Sequence, residues 1–113
     1  MEAAHKRATV EKYIEAVSTD NLDLIREIYA DNAVVEDPVG SEPHEGIAAI
    51  EAFYSKVHGV GVKLELTGPI RCTENAAAFP FKCTTHGHVL EIIDTFEFNS
   101  DGKVISMKAY WGK

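Results

Sequence analysis

The chain has 113 residues, of which 45% are hydrophobic and 26% are charged, a composition typical of one globular domain covering residues 1–113. Acidic residues outnumber basic ones by 18 to 11, so the formal net charge of -7 disfavours a nucleic-acid partner. The first residues lack the apolar run of a signal peptide, and no later stretch has the length of a membrane span. These features predict a cytoplasmic protein without membrane association.

Three helices are predicted from apolar residues that recur on one helical face. The first face consists of Val10, Tyr13, Ile14 and Val17. The second, after a helix-breaking and capping segment at residues 18–21, consists of Leu22, Ile25, Ile28 and Tyr29. The third, opened by Gly46, consists of Ile47, Ile50, Phe53, Tyr54 and Val57.

Strands are predicted mainly in the second half of the chain. One short strand, residues 33–36, precedes a loop at residues 37–43 that contains two prolines and a glycine. Alternating residues 62–67 predict another strand, and turn signals separate four more at residues 70–73, 76–85, 89–99 and 103–111. Helices followed by a meander of antiparallel hairpins predict an α+β domain with the helices on one face of the sheet.

Asp94 interrupts an apolar stripe in the predicted strand 89–99. Strand alternation places it on the same face as Leu90, Ile92, Phe96 and Phe98. If that face is buried, desolvation disfavours the charged form, so the carboxyl group would be neutral and could donate a hydrogen bond. The alternative is an acid that is ion-paired within the fold or displaced to solvent by a bulge.

Four further polar positions are candidates for a site. Asp37 ends a strand and begins the proline-containing loop, where a rigid scaffold can hold a reactive side chain at a cavity mouth. It could instead bond its own loop. Tyr13, Tyr29 and Tyr54 lie on the three predicted inward faces and could reach one another. Each could equally be a core aromatic whose hydroxyl bonds a backbone carbonyl.

No metal or disulfide site is predicted. Cys72 and Cys83 lack the spacing of a redox or metal motif and are interpreted as buried free thiols. His86 and His88 lie at a hairpin tip with no third ligand in view, so they are interpreted as exposed turn residues.

Seven segments resemble the bacterial Δ5-3-ketosteroid isomerases, the steroid Δ-isomerases. They occur in the family's order over nearly the whole chain, and the separations of the three tyrosines and Asp37 also resemble those of the family. The segments are residues 13–15, 29–40, 52–54, 66–69, 79–81, 93–94 and 109–111. The resemblance implies the cone-shaped fold of nuclear transport factor 2 and the SnoaL polyketide cyclases, a homodimer and no cofactor.

The resemblance also implies roles for individual residues. Asp37 matches the general base, while Tyr13 and a neutral Asp94 match the oxyanion hole that binds the dienolate oxygen. Tyr54 and Tyr29 would extend the hydrogen-bond network behind Tyr13. The apolar slot for the steroid would be formed by Phe53, Phe81, Ile92, Phe96, Met107, Ala109 and Trp111.

Two other functions fit the same sequence features. A carrier or sensor for a planar hydrophobic molecule would use the cavity without chemistry. A cyclase or an epoxide hydrolase could use the same scaffold, because a fold does not determine a reaction.

Overall fold

The computed structural model describes residues 2–112, in which three helices precede or flank seven strands. The helices are α1 (Ala3–Ser18), α2 (Leu22–Ile28) and α3 (Ile47–Val57). The strands are β1 (Tyr29–Glu36), β2 (His44–Glu45), β3 (Lys63–Leu66), β4 (Arg71–Cys72), β5 (Ala76–Thr85), β6 (His88–Phe98) and β7 (Val104–Tyr110). The predicted α+β class is confirmed.

The strands form one mixed sheet. Its order is β2-β1-β7-β6-β5-β3, and β4 pairs with β5 on the side of this path. Every pairing is antiparallel except that of β1 with β7, which is parallel. The longest pairing joins β5 and β6 from Ala76 opposite Glu97 to Thr85 opposite His88, so the expected hairpin with a turn at residues 86–87 is confirmed.

Tyr29 is the first residue of β1 and not the last residue of α2, which corrects the helical prediction. Its φ of -92° and ψ of 143° are extended, and its backbone N–H still bonds Ile25 O as the helix ends. Tyr29 directly follows a short helix, so it continues the helical periodicity although its backbone is extended. Periodicity alone therefore assigned Tyr29 to the helix incorrectly. Helix α2 starts directly after the predicted capping segment. Asn21 Oδ1 caps it by accepting a hydrogen bond of 3.2 Å from Leu24 N.

Strand β2 is the element that the sequence did not predict. It has two residues and pairs with β1 through Val34 opposite Glu45 and Val35 opposite His44. Gly46 follows with φ 87°, a conformation that glycine adopts without strain, and its N–H bonds Ala33 O at 2.8 Å. This short pairing fixes the loop after β1 and the start of α3 against the sheet.

The helices cover one face of the sheet, and the apolar core lies between the two layers. Tyr13 of α1 contacts Phe79 of β5 and Phe96 of β6 with ring centroids 6.1 and 5.2 Å apart. On β6 the inward and outward residues alternate as predicted, since Phe96 is buried and Ile93 is exposed. The face of the sheet that carries Asp94 is therefore the face that the helices bury.

Within residues 2–112, no helix combines the length and the apolar character that crossing a bilayer requires.

Candidate active site

Asp94 lies in the middle of the sheet, with its side chain in the core. It is 1% exposed and pairs in register with Phe79 of β5 and Ala109 of β7. Among the described residues, neither carboxyl oxygen makes a hydrogen bond of regular geometry. The Tyr13 hydroxyl is near enough to interact with this carboxyl group as a donor, although the pair falls outside regular hydrogen-bond geometry.

Burial and charge together favour the neutral form of Asp94. Burial raises the pKa of Asp94 well above its ordinary value, and the negative charge of Asp37 raises it further. The Tyr13 hydroxyl lowers the pKa and only partly offsets these effects. A protonated Asp94 has an O–H that can be donated to a ligand in the cavity.

Asp37 is the first residue after β1 and lies at the edge of the same cavity. Trp111, directly after β7, donates its indole Nε1–H to Asp37 Oδ1 at 2.6 Å. The parallel pairing of β1 with β7 brings the two strand ends together, and Val39 N bonds Ala109 O at 2.8 Å. Asp37 therefore bonds the end of another strand rather than its own loop.

The carboxyl group of Asp37 ionises more readily than that of Asp94, because its pKa is raised less. Burial raises the pKa of Asp37 above its ordinary value, whereas the Trp111 hydrogen bond and the nearby His44 lower it. His44 belongs to β2, and its ring stacks on Phe53 with centroids 4.4 Å apart. No local sequence pattern predicted β2. Nothing in the sequence therefore indicated that His44 lies beside Asp37.

Tyr29, Tyr54 and Tyr13 form a buried chain of hydroxyl groups. Tyr54 donates to the Tyr13 oxygen at 3.2 Å, and the Tyr29 and Tyr54 oxygens are 2.8 Å apart. Since a phenol has one proton, Tyr29 must donate to Tyr54 when Tyr54 donates to Tyr13. The Tyr13 proton is then not used within the chain and can point toward Asp94 or toward a ligand in the cavity. Burial raises the pKa of all three phenols well above 10, so they are neutral donors.

A cavity of about 240 Å³ is lined by both acids, Asp37 and Asp94, and by two of the three tyrosines, Tyr13 and Tyr54. Its lining consists of Tyr13, Val17, Asp37, Phe53, Tyr54, Val57, Val62, Leu64, Phe81, Cys83, Leu90, Ile92, Asp94 and Trp111. Four of the seven residues predicted for the apolar slot are in this set, namely Phe53, Phe81, Ile92 and Trp111.

The other three predicted wall residues do not line the cavity. Phe96 and Met107 have no exposed surface and lie in the core, and Ala109 lines a neighbouring groove. Strand parity predicted their face correctly, but it does not distinguish a wall residue from one that is covered by a helix. Tyr29 also lies behind the wall, one hydroxyl further from the cavity than Tyr54.

Six lining residues were not predicted as site residues, although each lies on an apolar face or in a core position. They are Val17, Val57, Val62, Leu64, Cys83 and Leu90. Both cysteines are free and partly buried. Across residues 2–112, no cluster of three or more histidine, cysteine or acidic side chains has a metal-binding arrangement.

Comparison with known proteins places this geometry in a family. Residues 10–107 match the SnoaL-like domain. The chain belongs to this family. A steroid Delta-isomerase from Nocardioides simplex is 39% identical over 113 residues, which covers 96% of this chain and 91% of that protein. The resemblance to steroid Δ-isomerases stated from the sequence motifs is thereby confirmed.

A solved structure supports the predicted fold. This SnoaL-like domain superposes on the epoxide hydrolase/cyclase-like enzyme SalBIII, which has a role in pyran ring formation in the polyether salinomycin. The TM-score is 0.87 and the sequences are 25% identical, with 99% of this chain and 95% of that chain covered. The predicted fold of the SnoaL cyclases and nuclear transport factor 2 is confirmed.

Replacing Asp94 by asparagine should change how stability depends on pH. Because burial raises the pKa of Asp94 in the folded state, the folded protein holds a proton that the unfolded chain releases above about pH 4. The free energy of unfolding of the parent should therefore fall, relative to Asp94→Asn, as the pH rises from about 4 through the folded-state pKa. Urea denaturation at a series of pH values measures this difference.

The matched control is Asp31→Asn, because Asp31 is an exposed aspartate on β1. This variant should keep the fall in unfolding free energy that Asp94 causes in the parent as the pH rises. If Asp94→Asn and the parent keep a constant difference in unfolding free energy, Asp94 has no raised pKa in the fold.

Proposed function

We propose that this SnoaL-like domain is a steroid Δ-isomerase that converts Δ5-3-ketosteroids into conjugated Δ4-3-ketosteroids. The observation that carries this proposal is that one cavity brings together a carboxyl group that ionises more readily than Asp94 and two neutral hydrogen-bond donors. The first is Asp37, and the donors are Tyr13 and Asp94. The relative from Nocardioides simplex, itself named a steroid Delta-isomerase, supports the choice of reaction.

Asp37 acts as the general base in this proposal. It takes the proton from C4 of the steroid, next to the ketone, and the electron pair of that C–H bond delocalises into a dienolate. The raised pKa of Asp37 makes its carboxylate a stronger base than an exposed aspartate, while the Trp111 hydrogen bond keeps the ionised form accessible. Asp37 then returns the proton to C6, so no atom is lost and no cofactor is consumed.

Tyr13 and Asp94 stabilise the dienolate oxygen. Negative charge develops on the C3 oxygen as the C4 proton leaves, and neutral donors that already point at this oxygen stabilise the charge without reorganisation. The chain of Tyr29 and Tyr54 donates toward Tyr13, which increases the acidity of its free O–H. The apolar lining excludes water and strengthens both hydrogen bonds.

The structural similarity to SalBIII supports a second candidate reaction. A neutral carboxylic acid can protonate the oxygen of an epoxide, and a carboxylate can activate the attacking hydroxyl group or water. The same two acids could therefore perform a cyclase or epoxide-hydrolase reaction on this scaffold. A carrier would use only the cavity and would need neither acid.

The homodimer and the cytoplasmic location stay predictions of the family resemblance and of the sequence. The outer face of the sheet offers a surface for a second copy, because Ile93 and Tyr110 are both about half exposed beside the groove that Ala109 lines. A small hydrophobic ligand is the partner that the main cavity supports.

Replacing Asp37 by asparagine should nearly abolish isomerisation. Loss of a general base costs roughly 10²–10⁴-fold in rate, while steroid affinity should persist because the cavity keeps its shape. The measurement is the ultraviolet absorbance of the conjugated enone formed from a Δ5-3-ketosteroid. Asp31→Asn, on the exposed side of the same strand, is the control and should keep full activity.

Equal turnover by Asp37→Asn and the parent would reject Asp37 as the general base. A parent protein that forms no enone would favour the cyclase or the carrier function.

Replacing Tyr13 by phenylalanine should lower kcat by about 10²–10³, the usual cost of one oxyanion donor. KM should change far less, because the neutral ketone needs the donor less than the dienolate does. Tyr110→Phe is the matched control, since this hydroxyl lies on the outer face of the sheet. Steady-state kinetics that give the same kcat for Tyr13→Phe and Tyr110→Phe would contradict the oxyanion role.

Replacing Trp111 by phenylalanine should move the acidic limb of the kcat/KM profile to higher pH. The indole hydrogen bond lowers the pKa of Asp37, so removing it leaves burial to raise that pKa further. The base is then ionised only at higher pH, and kcat/KM reports the free enzyme. An acidic limb that stays in place or moves to lower pH would show that the Trp111 hydrogen bond does not lower the pKa of Asp37.

A further inference from the structure

The sheet side of the cavity extends far beyond the catalytic carboxyl group. From Asp94, the same face of β6 continues to Ile92 and Leu90, and all three line the cavity. On β5, Phe81 is paired with Ile92 and Cys83 with Leu90. Four residues of strand span about 13 Å, a length comparable with a four-ring steroid skeleton. The wall therefore leads from the proposed oxyanion site toward the tip of the β5–β6 hairpin.

Helix α1 follows the same direction. Tyr13 lies beside Asp94, and Val17 lines the cavity one helical turn later, about 6 Å further along. The end of α1 is fixed there because Leu64 N bonds Ser18 Oγ at 2.9 Å. Since Leu64 is paired with Cys83, Val17 and the distal part of the sheet wall lie at the same end of the cavity.

Helix α3 agrees with this arrangement. Tyr54 belongs to the hydroxyl chain, and Val57, at the end of the helix, lines the cavity. The loop after α3 is tied to the end of β5, because Thr85 Oγ1 donates to Val60 O at 3.1 Å. Both helices and the hairpin thus place their polar residues at one end of the cavity and their apolar residues at the other.

The far end, here called the distal subsite, contains no charged side chain in its described lining. It consists of Val17, Val57, Val62, Leu64, Cys83 and Leu90. The Cys83 thiol is its one polar group and a weak hydrogen-bond donor, and burial raises its pKa. A hydroxyl or ketone placed there would lose water without a strong partner, whereas an alkyl group would gain from burial.

The distal subsite also has an opening. Leu90 is 39% exposed although it lines the cavity, and its outward neighbour Val89 is 56% exposed. The cavity volume of about 240 Å³ is below the range of roughly 300–1,000 Å³ that encloses a drug-sized ligand. A four-ring molecule whose ketone reaches Asp94 would therefore place its far ring beside Leu90, at this opening.

We propose that the distal subsite binds an alkyl substituent on the far ring of the steroid, so that the preferred substrates are Δ5-3-ketosteroids with an apolar side chain. The inference rests on the proposed function, because the ketone must bind between Tyr13 and Asp94 for the far ring to reach this end. The opening at Leu90 lets a longer chain continue toward solvent. Selectivity then arises from the residues along the β5–β6 hairpin rather than from those that perform the reaction.

The test compares two Δ5-3-ketosteroids that differ only on the terminal five-membered ring, where one carries an ethyl group and the other a hydroxyl group. The ethyl compound should have the larger kcat/KM by about tenfold or more, the discrimination that small changes in apolar pockets usually give. Equal values, or a preference for the hydroxyl compound, would overturn the proposal.

Two variants test whether Leu90 causes the preference for the ethyl compound. Leu90→Asn adds a polar group to the distal subsite and should reduce the ethyl preference from about tenfold to less than about threefold, because a polar wall makes burial of the ethyl group less favourable. Val89→Asn makes the same kind of change on the neighbouring, outward-facing residue and should keep the full preference. Loss of the preference in both variants or in neither would contradict the assignment to Leu90.

A binding measurement separates this proposal from the reaction. The corresponding saturated ethyl and hydroxyl steroids cannot isomerise, and their binding can be followed by fluorescence of Trp111, the single tryptophan of the chain. Tighter binding of the ethyl compound without turnover of either Δ5 substrate would support the distal subsite and reject the isomerase. Turnover of both substrates with no difference in binding or kcat/KM would support the isomerase and reject the distal subsite.

Discussion

The burial of one carboxyl group determines the rest of this site. Asp94 occupies a position of β6 that an apolar side chain would normally fill, between Phe79 and Ala109 on the adjoining strands. An ionised carboxylate at that depth would lose its hydration without a cationic partner among residues 2–112, so the fold favours the protonated acid. The same burial that costs stability at high pH creates a neutral donor inside an apolar cavity.

The second acid differs from the first because of its position in the sheet. Asp37 follows the last residue of β1, where the parallel pairing with β7 supplies the Trp111 N–H and β2 supplies His44. Both neighbours oppose the effect of burial. The negative charge on Asp37 in turn favours the proton on Asp94, so the ionisation of one acid supports the neutrality of the other.

The sequence predicted what depends on local periodicity and missed what depends on distant contacts. The alternation in β6 was enough to place Asp94 on the buried face, and the helical faces placed Tyr13 and Tyr54 in the core. The Trp111 bond joins residues 74 positions apart and needs the parallel β1–β7 register, which no local pattern contains. Parity could not separate Phe96 from Ile92, because both face inward and only helix packing decides which one remains at the cavity surface.

The order of the hydroxyl groups gives the physical reason to prefer proton transfer at a ketone over epoxide opening. Tyr29 and Tyr54 each use their single proton within the chain, so Tyr13 presents its own proton beside the proton of Asp94. Two donors directed at one oxygen stabilise a full negative charge, as a dienolate requires. An epoxide oxygen can instead take one whole proton from a single acid as its C–O bond breaks. Two donors together with the proposed base Asp37 match the charge that develops in the proposed isomerisation, whereas the similarity to SalBIII is a similarity of fold.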